Sequence, residues 1–243
     1  MHLASIMRYP IKGFAGESLL QADLAPQQRM TGDRIYALQH RDRVPPQDIG
    51  WRPKKYFIQS VQTDILAEID VHWSADHALF NCQGRSLSLS RPFDLDESLA
   101  AWVAQFFPDA SGFEFIHEPT GLTDEPEAFI SLVNQATVDA IAVSTATQAN
   151  PARYRSNLVV DGLPPFAETD WIGAELHIGE VTFDVIEPIV RCLATECDWQ
   201  GGRDKGFLTR LNESLNTDHC GVFLKTRVGG RLQTGDSLVI HHK

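Results

Sequence analysis

The 243-residue sequence predicts a strand-rich α+β fold, two β-barrel-like domains with a few helices. Three observations lead there. Short alternating or β-branched runs recur along the whole chain, broken by Gly, Pro, Asn and Asp. Helical periodicity is confined to a few segments. An aperiodic Pro/Gly/acid-rich stretch, HEPTGLTDEPEA from His117 to Ala128, divides the chain into domains at 1–120 and 121–243.

In chain order, HLASIMRYPIKG, DRIYALQH, ALFNCQG and FEFIH read as strands of the first half. RYRSNLVVDG, AELHIGEVTFDVIEPIV and GVFLKTRVGGRLQTGDSLVIHH supply most of the second half. Two hairpins are expected: IGE joins LHI to VTF, and Gly229–Gly230 joins FLKTRV to RLQTG. DLDESLAAWVAQFF reads as a helix with Asp94 as N-cap and Leu95, Leu99, Trp102, Val103 and Phe106 along one face. NQATVDAIAVST and GFLTRLNESLN are further helical segments, and KKYFIQSVQTDILAEI fits helix or strand equally.

Hydrophobic content of 43% and charged content of 22% are ordinary for a folded globular chain. The formal net charge is −11. Residues 1–120 carry 11 basic and 15 acidic side chains, and residues 121–243 carry 10 and 17. Neither half is basic, so no nucleic-acid partner is expected. An anionic ligand would have to be met by a few cations gathered locally. The N-terminus MHLASIMRYPIKG lacks a signal-peptide pattern, and no apolar run reaches membrane-spanning length. A cytoplasmic protein without membrane association is expected.

Four cysteines, Cys82, Cys192, Cys197 and Cys220, are too few for a disulfide framework in a chain this long. IEPIVRCLATECD reads as a buried strand entering a loop, with Cys192 at the turnover. Zinc is disfavoured because His219 and Cys220 are adjacent, which hinders both from reaching one ion. A plant-type iron–sulfur run fails at Gln200, and no C-x-x-C pair is present. A cysteine hydrolase would need a positioned base, and the histidines form no pattern that supplies one. Buried packing is the reading for Cys82, Cys197 and Cys220. On a strand, Arg191 and Cys192 face opposite ways, so adjacency alone does not activate the thiol.

The fragments resemble, in order and spacing, MOSC-domain proteins preceded by a MOSC N-terminal β-barrel domain. That group includes the amidoxime-reducing molybdenum enzymes. YPIKG (Tyr9 to Gly13), GDRIYAL (Gly32 to Leu38) and WRPKKYF (Trp51 to Phe57) are similar to elements of the N-terminal domain. SLVN (Ser131 to Asn134), RYRSNLVVDG with PFAETDW, RCLAT (Arg191 to Thr195) and GVFLKTRVGGRLQTGD are similar to elements of the MOSC domain.

The resemblance implies a molybdenum cofactor, a pyranopterin dithiolene with molybdenum, and Cys192 as the catalytic thiolate and metal ligand. A soft sulfur ligand suits such a metal. By the same resemblance, Lys12, Arg34, Ser131, Asn134, Arg155 and Asn157 hold the pterin and its phosphate. The implied activity is a reductase that removes oxygen from N-hydroxylated or related N–O and S–O compounds. The alternative is a noncatalytic cofactor-binding or sulfur-carrier module. No pyridoxal phosphate is expected. The chain ends at Lys243 after the last strand, so electrons are expected from a separate ferredoxin- or flavin-type protein. After Cys192 the sequence TECDWQGG departs from the reductases' T-x-x-D-P-x-T-G pattern, with Trp199 in place of proline.

Overall fold

The computed structural model describes residues 1–43, 45, 50–108, 111–199 and 202–242. Its first half contains β1 (His2–Arg8), β2 (Glu17–Leu19), β3 (Gln21–Leu24), β4 (Tyr36–His40), β5 (Asp70–Trp73), β6 (His77–Cys82), β7 (Arg85–Ser90) and β8 (Phe113–His117). Helices α1 (Ile65–Glu68) and α2 (Ser98–Ala104) lie among them. The second half contains β9 (Phe129–Asn134), β10 (Leu158–Asp161), β11 (Glu175–Ile178), β12 (Val181–Val190), β13 (His219–Val228), β14 (Gly230–Gln233) and β15 (Leu238–His241). Helices α3 (Gln135–Thr145) and α4 (Phe207–Leu215) complete it. The fold is strand-rich α+β, as its sequence pattern predicts.

The large sheet has eight strands in the order β15-β11-β12-β13-β9-β10-β1-β2. Its far edge returns toward β1: Leu3 N donates to Asp236 O and Gly235 N to Leu3 O, both at 2.8 Å. That return curls the sheet in a barrel-like sense around Leu3, Ile6, Leu132, Val160, Phe183 and Leu224. A second core, with Ile11, Phe14, Leu38, Phe80, Leu99 and Phe115, is built by β4–β8 and α2. Helices α3 and α4 bury Val138, Ile141, Phe207 and Leu211 against Val133, Val159 and Cys220.

The Ile178–Val181 hairpin forms at Gly179, whose φ is +55°. The hairpin expected at Gly229–Gly230 does not. β14 pairs with β3 instead, Arg231 opposite Asp23. Neither glycine has the positive φ that a tight two-residue hairpin requires. They are needed for room: a Cβ at Gly229 would lie 2.5 Å from Leu24 O, and one at Gly230 2.8 Å from Glu180 Cβ. The helix expected from Asp94 begins later, with Glu97 as N-cap and Asp96 Oδ1 accepting from Ser98 N. Leu95 is 55% exposed, so the apolar face starts at Leu99. The ambiguous KKYFIQSVQTDILAEI is neither one helix nor one strand; it holds a short 3-10 turn at Lys54–Tyr56 and α1.

Candidate functional site

A cavity of about 380 Å³ opens where both cores meet the end of β12. Lys12, Arg34, Ser131, Arg155, Asn157 and Cys192, far apart in the sequence, all line it. Asn134 does not. Its Oδ1 accepts from Ala136 N at 3.1 Å and caps α3, while its Nδ2 donates to Pro164 O at 2.7 Å. An asparagine at a strand-to-helix junction satisfies the helix's free N–H groups, and that need places it in the core.

Strand β12 delivers the thiol. Arg191 is buried, and Cys192 beyond it is exposed. A 3-10 turn over Leu193–Glu196 follows, and Thr195 fixes it: its N and Oγ1 both donate to Cys192 O, at 3.0 and 2.8 Å. Arg153 donates to Thr195 O at 2.7 Å and pins the same turn from behind. Cys192 is the only exposed cysteine among the described residues. Cys82, Cys197 and Cys220 are buried. Burial raises each of their thiols, that of Cys220 to about 12. No group of three or more His, Cys, Asp or Glu side chains suited to a metal gathers among the described residues.

The cations are held in three different ways. Lys12 is buried, and its Nζ donates to Leu122 O at 2.8 Å and Asp124 Oδ1 at 2.5 Å. Burial lowers its pKa, with Asp124 opposing. Arg34 pairs with Asp33 and donates to Arg155 O at 2.8 Å. Burial would lower its pKa, but Asp33, Tyr9 and Asp124 together raise it. Arg155 donates to Phe14 O at 2.6 Å and has no carboxylate partner among the described residues. Its guanidinium carbon lies 4.5 Å from the Tyr9 ring centre and 4.4 Å from that of Trp199. Burial, then Arg34, lowers its pKa to about 10. It stays charged at neutral pH.

Ser131 and Asn157 are tied to each other. Asn157 Oδ1 accepts from Ser131 Oγ at 2.9 Å, and Ser131 Oγ accepts from Asn157 N at 3.0 Å. They join β9 to the start of β10 at the cavity wall. Beside them Phe129 and Phe223 stack with ring centres 5.0 Å apart. Four contributors escaped the sequence reading: Tyr9, Asp124, Arg153 and Trp199. Tyr9 and Arg153 lie in the YPIKG and RYRSNLVVDG elements and Trp199 at the departure from the reductase pattern, whereas Asp124 lay in the aperiodic stretch. Two buried donors here, Arg153 Nε and Trp199 Nε1, have no partner among the described residues.

The family model described as the MOSC domain matches residues 119–239. These residues form a MOSC domain. It contributes Ser131, Arg153, Arg155, Asn157 and Cys192 to the cavity, and Lys12 and Arg34 precede it. The chain is 24% identical to molybdenum cofactor sulfurase of Danio rerio, over 88% of this chain and 30% of that protein. It thus spans about a third of that relative's length. The crystal structure of the YuaD protein of Bacillus subtilis aligns over 99% of this chain and 95% of that one, with a TM-score of 0.51 and 12% identity. It shares the fold across both cores. YiiM of Escherichia coli aligns over 47% of this chain and 54% of that one, with a TM-score of 0.37 and 18% identity. No helix among the described residues is long and apolar enough to cross a membrane.

Proposed function

We propose that the cavity binds molybdenum cofactor, with Cys192 as the protein thiolate to the metal and Arg155 as the main contact for the pterin phosphate. One observation supports this reading above the rest: an exposed thiol and a guanidinium free of carboxylate partners open into one cavity. The donor set fits the group. A thiolate is a soft ligand, and a phosphate suits a planar guanidinium that has unused N–H donors. Phe129, Phe223 and Pro188 supply an apolar wall that excludes water. The bound cofactor would supply two-electron oxygen-atom transfer. The chain's own residues bind and orient it: Arg155 and Lys12 neutralise the phosphate, and Arg153 and Thr195 hold the turn that presents Cys192.

The finer reading is a reductase of N-hydroxylated or related N–O and S–O compounds, fed electrons by a separate protein. Protein made in a cofactor-competent host should carry about one molybdenum and one pterin per chain. It should reduce a hydroxylamine-type substrate with a reduced viologen as donor. Absence of both metal and pterin defeats the cofactor reading; their presence without turnover defeats only the reductase. The match to molybdenum cofactor sulfurase favours a second reading, a cofactor-binding sulfur carrier with persulfide on Cys192. Cyanide-releasable sulfur lost in Cys192→Ser, together with no turnover, would select it.

A further inference from the structure

We propose that Asp124 is a built-in competitor for the cavity's cations, and that an entering phosphate-bearing ligand displaces it from Lys12. The inference rests on the reading of this cavity as a phosphate site.

Among the described residues, two carboxylates form ion pairs with these cations, and they are held differently. Asp33 is buried, with Oδ1 accepting from Tyr9 N at 2.8 Å and Oδ2 pairing with Arg34. It is fixed at both oxygens. Asp124 has a side chain 52% exposed, and among the described residues its carboxylate hydrogen-bonds only to Lys12. Lys12, Lys54 and Arg34 hold its pKa below the usual range although burial opposes them. It is therefore an anion already seated among the cations that a phosphate would need.

The backbone carrying Asp124 does not depend on that contact. Arg29 donates to the carbonyl oxygens of Thr120, Glu125, Pro126 and Glu127. Trp51 Nε1 donates to Thr123 O at 2.9 Å. With the main chain clamped on both sides, the carboxylate can leave by side-chain rotation alone. Until it leaves, its charge repels any second anion. The cavity thereby discriminates against small anions with few anchors and favours a ligand that also engages Arg155 and the thiol side.

The test uses the full chain made without cofactor, titrated with inorganic pyrophosphate by calorimetry. Asp124→Asn keeps the shape and an acceptor for Lys12 while removing the charge. It should bind pyrophosphate about tenfold more tightly, the scale on which one charge 4–6 Å away shifts an ionic equilibrium. Glu213→Gln, an exposed charge on α4 that is not part of the cavity lining, should change affinity less than about twofold, as expected of a screened surface charge. Asp124→Ser should reproduce the gain of Asp124→Asn. Unchanged, weaker or undetectable binding by both Asp124 variants overturns the proposal, and so does an equal gain from Glu213→Gln. Chain that lacks molybdenum and pterin even from a competent host, yet shows the Asp124→Asn gain, would sink the cofactor reading and leave this inference standing.

Discussion

The end of β12 and the turn before β10 each bring an arginine to the same cavity, and the two are held in opposite ways. Arg191 spends its donors on the protein: Nε on Cys220 O at 2.8 Å, Nη1 on Tyr154 O at 2.9 Å and Nη2 on Cys220 O as well. Arg155 gives one bond to Phe14 O and otherwise lies between two aromatic rings. Rings locate a guanidinium without consuming its N–H groups. The first arginine bolts β12 to β13 and to the 151–154 turn; the second keeps donors for a ligand. Residue type and nearness to a cavity therefore do not separate structure from function. The fate of each donor does.

The largest effect should come from the residue beside the bolt. Cys192→Ser should lower turnover of the loaded protein at least a hundredfold, because a serine oxygen is a harder and far less acidic ligand. Its unfolding midpoint should stay near that of the native chain, since the side chain is exposed. Normal turnover in Cys192→Ser beside an inactive Cys197→Ser would move the ligand role to Cys197.

The arginine contrast itself can be broken next. Arg191→Ala leaves buried carbonyls without partners and should cost about 2–4 kcal/mol in denaturant unfolding. Arg155→Ala should cost less than about 1 kcal/mol of stability, yet lower molybdenum and pterin occupancy through loss of a contact worth ~1.5–3 kcal/mol. Equal destabilisation by the two substitutions, with occupancy unchanged in Arg155→Ala, would erase the distinction.

The smallest effect lies away from the cavity, at Glu168. Its Oε2 accepts from Thr137 Oγ1 at 2.9 Å and from Asn134, while Oε1 is buried with no partner among the described residues. Burial raises its carboxyl pKa above the ordinary glutamate value. The stability of the neutral form is therefore fully present below the unfolded-state pKa and lost as pH rises through the higher folded value. Glu168→Gln should be more stable than the native chain at neutral pH and lose that advantage in acid. A difference independent of pH, measured by thermal melts across the range, would show that Glu168 titrates alike in the folded and unfolded chain and that burial does not raise it.

Much of this was legible in the sequence because it is local. Alternation marked most strands, and the LHI–IGE–VTF run gave its hairpin. Six of the seven expected site residues line one cavity, since the motifs that carry them sit at strand ends that converge there. What failed was non-local. Asn134 looked like a ligand because its role as helix cap depends on where α3 begins. Gly229–Gly230 looked like a turn because its crowding by Leu24 and Glu180, distant in sequence, has no local trace. Asp124 lay in the segment read as a plain linker, and only the folded chain brings it to Lys12.

The pairing of β14 with β3 bears on how the chain is made. Arg231 and Asp23 are 208 residues apart, and β1 likewise waits for β10. A ribosome delivers β1 to β3 long before β10 and β14 exist, so β1 has only β2 to pair with and β3 has no partner yet. They must be kept from other edges until nearly the whole chain has emerged. Assembly of the large sheet is thus a late event, and a polypeptide stopped short of residue 230 is left with an open edge at β3.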